Sequence, residues 1–489
     1  MYRKIIILLL TVLAVGTLSS YSLNEFHYGY KLNTLDATAV SMGNTGTAGS
    51  SNPLGITLNA VNTLNQNKNF GFETTINANK GEDKRSFPMY NSFNAYINES
   101  TYTAQENIFY NIGVALAGKY DLDNYNSFGF GLYMVPRYSF ASEYNEEVRN
   151  NDNSNDDNYP EKIAVNKIDN DGAIYAYGLS LAYKYSFDNL NYLKSLAVGA
   201  NIEMLEGNAE SDKSIRFTDW SHDAIGYGIL PDYEEKYDRD LSGMAMQIGM
   251  NYELNHRATF AFTFSPKTTI EVDANNAINS YLTYADSTMM VDYPIVGTDS
   301  LKLNILSEDY DLPSSYKFAF QLRPRNVLKT TFNVEAELVR WSETNKLFED
   351  KYNYYLGIEH KIIETVPVRL GFSSTNSYDI AYDTFTDTYT DENDNEVAVE
   401  RAYEYAIEIM TPTVSLGTGF EFSNRLRADV GFSYSFRKFE TLDLFMDEYY
   451  DYSNLWPNEH IDIQNRDWSN PDTVKENIFD FMFSLTLDI

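Results

Sequence analysis

Hydrophobic and polar residues alternate with a period of two in the segment that ends the chain. Apolar side chains occupy every second position from 479 to 489, namely Phe479, Phe481, Phe483, Leu485, Leu487 and Ile489. The positions between them hold Asp480, Met482, Ser484, Thr486 and Asp488. Because successive side chains of a strand point to opposite faces, this pattern predicts a strand with one apolar and one mostly polar face.

The same alternation recurs at 179–187, 244–254, 414–422 and 426–437. From Asn69 onward the chain divides into segments of about ten residues separated by Asn/Asp-rich stretches, which is typical of a transmembrane β-barrel. The apolar face would meet lipid and the polar face would line the lumen. The segments number roughly thirteen to fifteen, and single-chain bacterial barrels have even strand numbers, so we predict an all-β, antiparallel barrel of fourteen strands spanning residues 69–489.

The connections between these segments are unequal in length. Short ones, at Asn255-His256 and at 324–326, predict periplasmic turns. Longer acidic stretches, at 143–171, 218–240, 377–401 and 443–476, predict extracellular loops.

The first residues predict export from the cytoplasm. Arg3 and Lys4 precede an apolar run at 5–15, and small residues follow, so cleavage is expected after Ser19 or Ser22. The apolar run is too short to span a bilayer as a helix. We therefore expect a signal peptide at residues 1–22, a separate N-terminal segment at 23–68 and a final location in the outer membrane.

Composition excludes some functions. The chain has 70 acidic and 37 basic residues, for a net charge of −33, so it lacks the surplus of cations that nucleic-acid binding needs. Its 40 Tyr and 29 Phe suit the aromatic girdles at the two membrane interfaces of a barrel, and Trp220 and Trp341 are interpreted as interface anchors in the same way. There is no Cys, which excludes both disulfides and a lipoprotein anchor.

Signs of catalysis are missing. His27, His222, His256, His360 and His460 are scattered without metal-ligand spacing, and no Gly-x-Ser-x-Gly motif occurs. We therefore expect no enzyme activity, cofactor or metal site. The acidic run at 387–400 is rich in oxygen ligands but lacks the EF-hand pattern, so it predicts a solvated loop with at most weak divalent-cation contact.

Four stretches resemble a known family, the long-chain fatty acid and hydrocarbon transporters of the outer membrane (FadL/TodX type). They are 37–51 (ATAVSMGNTGTAGSS), 127–144 (SFGFGLYMVPRYSFASEY), 312–342 and 355–419. The chain departs from the Asn-Pro-Ala triplet of the family: Asn52-Pro53 is followed by Leu54, and Asn59-Ala60 lacks the proline.

The resemblance implies a fourteen-strand barrel with the segment at 23–68 folded inside as a plug. It also implies passive uptake of hydrophobic small molecules, with outer-membrane lipid as the other partner. Met42, Gly43, Gly46 and Gly49 would belong to the plug, because small residues let the backbone pass close to the inner wall. The alternative for this stretch is a flexible linker.

The family also has a lateral opening in its wall at the third strand, and Pro136 lies at the matching place. Proline has no amide hydrogen for the ladder, so it predicts a local break within 128–140, lined by Tyr133, Met134 and Tyr138. The alternative is that the strand ends at Val135.

Five charged residues share the predicted inner face of their strands: Glu335, Glu337, Arg427, Asp429 and Arg437. They could bind a carboxylate head group, hold the plug by ion pairs, or only balance charge in a hydrated lumen. For the whole chain, a secretion-associated or structural barrel whose lumen serves a partner protein is the alternative function. A general porin is disfavoured by the expected plug.

Overall fold

The computed structural model describes residues 22–150, 161–187, 193–221, 232–284, 287–291, 305–363, 365–390, 396–445 and 471–489. The predicted signal peptide therefore lies almost wholly outside the described residues. No helix in the described ranges is long and apolar enough to cross a membrane.

Strand segments make up most of the described chain. They are β1 (Tyr30–Lys31), β2 (Phe70–Tyr90), β3 (Tyr96–Asp121), β4 (Asn126–Ser139), β5 (Ser142–Arg149), β6 (Lys162–Asp171), β7 (Ala173–Ser186), β8 (Ser195–Phe217), β9 (Asp232–Asn255), β10 (Ala258–Ser265), β11 (Thr268–Ala274), β12 (Ala277–Tyr284), β13 (Ser287–Val291), β14 (Tyr310–Leu312), β15 (Ser315–Leu322), β16 (Thr331–Val339), β17 (Lys351–Ile363), β18 (Val366–Thr390), β19 (Glu396–Ser423), β20 (Leu426–Thr441) and β21 (Asp472–Asp488).

The segments after β1 form a closed antiparallel barrel of fourteen strands, which confirms the predicted fold. Four barrel strands are interrupted, and each consists of consecutive segments: β4 with β5, β6 with β7, β10 with β11 and β12, and β13 with β14 and β15. The barrel closes where β21 pairs with β2, from Asp488 opposite Gly71 to Thr473 opposite Ser86. Closure leaves no free edge on these two strands.

The period-two pattern sets which side chains face the membrane. In β21, Phe481 and Phe483 are 51% and 40% exposed, while Asp480 and Met482 between them are 1% and 0% exposed. An exposed apolar row backed by a buried, largely polar row is the reverse of a water-soluble protein, and it fits a wall with lipid outside.

Several strands continue far beyond the apolar band, and in the described parts of 143–171, 218–240 and 377–401 the prediction of long loops was wrong. Most of the fourth predicted loop, 443–476, lies outside the described residues. β5 and β6 occupy most of 143–171, β9 begins inside 218–240, and β18 and β19 fill most of 377–401. The error has a physical reason. Outside the membrane the outer face of a strand meets water and is polar, so its pairing continues although the apolar outer row has ended.

The N-terminal segment, residues 22–69, precedes β2 and packs against the inner faces of strands around the barrel. It contains α1 (Ala37–Ser41) and short 3₁₀ turns at Leu23–Glu25, Pro53–Thr57 and Ala60–Asn65. Asp36 caps α1 by accepting a hydrogen bond from the Thr38 amide at 2.9 Å. A further 3₁₀ turn, Trp341–Glu343, follows β16.

Candidate functional site

The hydrogen-bond ladder between β3 and β4 starts at the turn that joins them and covers only part of the length of the two strands. It runs from Asp121 opposite Ser127 to Val114 opposite Met134 and goes no further, although β4 continues to Ser139 and stays paired with β7 on its other side. Further from that turn, the Asn107 side chain of β3 donates a hydrogen bond to the Glu143 carbonyl of β5 at 2.9 Å. Between these two levels lies a stretch of wall without β3–β4 pairing, which we call the opening.

The N-terminal segment occupies the strand edge that β3 leaves free. Tyr30 and Lys31 of β1 pair with Ser139 and Tyr138 of β4. Next to them, the Leu32 amide donates a hydrogen bond to the Arg137 carbonyl at 2.9 Å. The edge beside the opening is therefore satisfied from inside the barrel.

Leu35 packs behind the opening. A β-carbon built on Gly113 of β3 would lie 2.8 Å from Leu35 Cδ1 and 3.3 Å from Val135 Cγ1 of β4. Leu35 is 3% exposed. The two strands thus approach each other just above the last ladder pair, with an apolar side chain of the N-terminal segment pressed against the contact.

The residues predicted to line a break near Pro136 have different surroundings. The Tyr133 hydroxyl donates to Glu203 of β8 at 2.6 Å, Tyr138 faces the interior, and Met134 is the last residue paired with β3. The strand is not interrupted at Pro136, which lies opposite Tyr175 of β7, where the register shifts. The missing pairing is on the β3 side.

The four predicted plug residues lie against the wall. Met42 is buried, and a β-carbon on Gly43, whose φ is 70°, would lie 2.6 Å from the Leu356 carbonyl oxygen. Because that neighbour is backbone, only glycine allows the segment to pass so close at this position. At Gly49 a β-carbon would lie 2.8 Å from Oε1 of Gln321, the end of a flexible side chain.

Three of the five predicted inner-face charges contact the N-terminal segment. Glu335 accepts hydrogen bonds from the amides of Gly46 at 2.8 Å and Thr47 at 2.9 Å. Arg427 donates to the Asn52 side chain. The other two contact the wall instead: Glu337 accepts from the Tyr355 hydroxyl at 2.7 Å, and Asp429 from Arg369 at 2.8 Å.

Arg437 is the third of the predicted inner-face charges that contact the N-terminal segment. It joins the start of that segment to the wall. Its guanidinium lies 2.8 Å from a carboxylate oxygen of Glu25 and 2.9 Å from one of Glu476. Ser22 donates to the same Glu476 at 2.6 Å. Burial raises the pKa of Glu25, while the neighbouring Arg437 opposes that rise.

Sequence reasoning missed the partners of these wall residues on the N-terminal segment. It also missed a further inward-facing arginine. Arg239 of β9 donates to the Phe26 carbonyl at 2.8 Å and lies over the Phe26 ring, 4.7 Å from its centre. Its neighbours Asp238 and Asp240 face outward. The sequence signal that could have identified Arg239 as inward-facing was therefore a basic residue between two acidic ones.

The prediction that Trp341 anchors the barrel at a membrane interface was wrong. Its ring contacts Tyr378, with ring centres 5.9 Å apart, and it packs against the interior cluster that includes Tyr28 of the N-terminal segment. The sequence pattern of an isolated aromatic residue after a strand is the same whether its ring lies at a membrane interface or packs inside the barrel.

Two cavities adjoin the N-terminal segment, on either side of residues 23–27. The upper cavity, which lies on the side away from the short turns, has a volume of about 170 Å³. Its lining has many apolar side chains, among them Leu23, Phe26, Ile380 and Ile407. The lower cavity, of about 280 Å³, has a more polar lining and includes Lys31, Arg137, Tyr138, Glu203, Lys317, Glu337 and Arg437. Arg137 and Tyr138 belong to β4 beside the opening, so the lower cavity reaches it.

Within the described part of the chain, no group of three or more His, Cys, Asp or Glu side chains is placed to hold a metal ion.

Burial of His27 in the N-terminal segment makes the stability of the protein depend on pH. Burial, aided by the nearby Arg239, lowers the pKa of His27 from 6.5 to about 3. As the pH falls below 6.5, His27 becomes protonated in the unfolded chain but stays neutral in the folded chain. The free energy of unfolding therefore decreases as the pH falls. Between pH 7 and pH 5 we expect a loss of about 2 kcal/mol that His27→Gln removes.

The measurement is the free energy of urea unfolding at both pH values. His256→Gln, in an exposed turn, serves as the control and should keep the wild-type pH dependence. Equal pH dependence in wild type and His27→Gln would show that the imidazole is not held neutral.

Comparison with known proteins gives a result for structure alone. No protein-family model matches the chain, and no curated protein matches its sequence. Among solved structures, a Pseudomonas aeruginosa FadL homologue aligns with a TM-score of 0.52 and 12% identity, over 94% of this chain and 99% of that one. The Pseudomonas putida toluene transporter TodX aligns with a TM-score of 0.50 and 10% identity, over 95% and 99%. At such identity the likeness establishes the fold, and the chain is an outer-membrane β-barrel with the fold of the FadL/TodX-type channels.

Proposed function

We propose that this barrel carries hydrophobic small molecules, such as long-chain fatty acids or hydrocarbons, passively across the outer membrane, without catalysis or cofactor. The observation that carries the proposal is the opening between β3 and β4 above Met134. A closed wall of hydrogen-bonded strands gives an apolar molecule no way from the lumen into lipid. A stretch without pairing supplies one.

The two cavities support a route to that opening. Cargo enters the upper cavity, whose apolar side chains suit a hydrocarbon chain, and passes residues 23–27 into the lower cavity. From there it leaves beside Tyr138 once Leu35 and β1 move aside. Residues 23–68 act as a plug in this scheme, and Tyr133, Met134, Pro136 and Tyr138 form the lateral gate.

The arrangement gives less support to the alternatives. A general porin needs a continuous aqueous path, whereas the N-terminal segment contacts inner faces on opposite sides of the barrel, at Arg239 on β9 and at Arg437 on β20. A secretion barrel needs a lumen that admits a protein. The interior here holds cavities of about 170 and 280 Å³, far too small for a protein.

Uptake by cells that lack their own transporter of this type tests the proposal. Expression should increase entry of radiolabelled oleate or toluene several-fold and leave a hydrophilic solute such as sucrose unaffected. Ile407→Trp, which fills the upper cavity, should abolish the gain, while Met410→Trp on the lipid face of the same strand should not.

Equal entry of sucrose would instead indicate a porin. If neither cargo enters faster although the barrel is present in the outer membrane, the transport proposal is wrong.

A further inference from the structure

A concave apolar groove lies on the outside of the barrel, away from the opening. It measures about 690 Å³ and crosses β9, β10, β15, β16 and β17. Its lining includes Met250, Phe318, Phe320, Val334, Tyr354 and Leu356. Phe318 and Tyr354 are 61% and 53% exposed, so these rings face outward.

One small residue creates the floor of the groove. In the aligned ladders, Ala336 of β16 lies between Phe318 of β15 and Tyr354 of β17. A methyl group between two large rings leaves a trough along β16. Trp at the same position would fill it.

Ring contacts hold one side of this trough in place. Phe318 packs on Phe262 with ring centres 4.9 Å apart, and Phe320 packs on Phe260 at 4.8 Å. Rings paired across neighbouring strands have less freedom to turn and close the space between them. The groove is thus a preformed cavity on a surface that otherwise meets fluid lipid.

The position of the groove identifies what can occupy it. Val334 and Ala336 come shortly after the start of β16 at Thr331, and Phe260 shortly after the Asn255–Ala258 turn, so the groove lies near the end with short connections. Short turns mark the periplasmic side of such barrels, where phospholipids form the leaflet. The lining is almost wholly apolar, which suits hydrocarbon and not a head group.

We propose that this groove binds one acyl chain of a phospholipid from the periplasmic leaflet as a specific, slowly exchanging ligand. Its volume is within the range of small-molecule sites. A protein partner would need an interface on the order of 1,000 Å² or more, far beyond one trough. The inference is independent of the transport proposal, since the groove is separated from the lumen by the wall.

The experiment compares Ala336→Trp with Ala200→Trp, which places the same ring on the outward face of β8 between Val198 and Ile202. Each barrel is purified in mild detergent with dipalmitoyl phosphatidylethanolamine and analysed by native mass spectrometry. Wild type and Ala200→Trp should retain one lipid per barrel, and Ala336→Trp should retain at least fivefold less.

Folding is monitored separately by the heat-dependent mobility of the barrel on gels, which all three proteins should share. Equal lipid retention by wild type and Ala336→Trp would overturn the proposal. So would a wild-type dimer that Ala336→Trp converts to monomer without a change in bound lipid, because a second copy would then be the occupant. Oleate uptake should be unchanged in Ala336→Trp, which keeps this outcome separate from that of the transport experiment.

Discussion

Replacing Arg437 with methionine should destabilise the barrel by about 3–5 kcal/mol, because it leaves two buried carboxylates without their cation. Glu25 and Glu476 are 4% and 2% exposed and both lie on the Arg437 guanidinium. Since Glu25 belongs to the N-terminal segment, the same substitution should release residues 22–31 from the wall. Urea unfolding measures the first effect and cleavage by trypsin after Lys31 the second.

Two further variants show whether charge burial is the cause. Arg216→Met removes a cation whose side chain is 38% exposed and which pairs with Asp232 and Glu234, so it should cost less than about 1 kcal/mol. Adding Glu25→Gln and Glu476→Gln to Arg437→Met should recover at least half of the lost stability. If Arg437→Met is no less stable than Arg216→Met, the ion cluster does not anchor the segment.

The barrel was predictable because lipid constrains one face of each strand. After a predicted signal peptide, an alternation such as that of β21 fits the wall of a membrane barrel better than the core of a soluble fold, and an even strand number follows from antiparallel closure. The extracellular ends of β5, β6, β9, β18 and β19 were not predictable in this way. There the outer face meets water and is polar, while apolar side chains such as Tyr144 and Val148 of β5 point inward, so the apolar outer row of a membrane strand is missing.

The candidate site was predictable only in part, because its contacts join distant parts of the sequence. The inward orientation of Glu335 and Arg437 followed from alternation, but nothing in the sequence links Arg437 to Glu25 or Glu335 to Thr47. Pro136 directed attention to β4, the strand that borders the opening. The pairing is missing from the β3 edge, however, where β3 has no proline and only the weaker signal of Gly113.

Covalent closure of the opening should stop transport almost completely if cargo leaves there. Gly113→Cys and Val135→Cys place two thiols on β3 and β4 just above the last ladder pair, where a β-carbon on Gly113 would lie 3.3 Å from Val135 Cγ1. The natural chain has no cysteine, so no other disulfide can form within it. Oxidation should reduce oleate uptake at least tenfold, and reduction should restore it.

A disulfide where the wall is already closed separates loss of the opening from general stiffening of the barrel. Ser86 and Thr101 are ladder partners on β2 and β3, and their hydroxyl oxygens are 2.9 Å apart. Ser86→Cys with Thr101→Cys should oxidise equally well and leave uptake unchanged, because that pair joins strands that stay paired and lies outside both cavities. Undiminished uptake by the oxidised Gly113→Cys/Val135→Cys barrel would mean that cargo crosses by another route, and the gap beside β4 would then be a feature of folding alone.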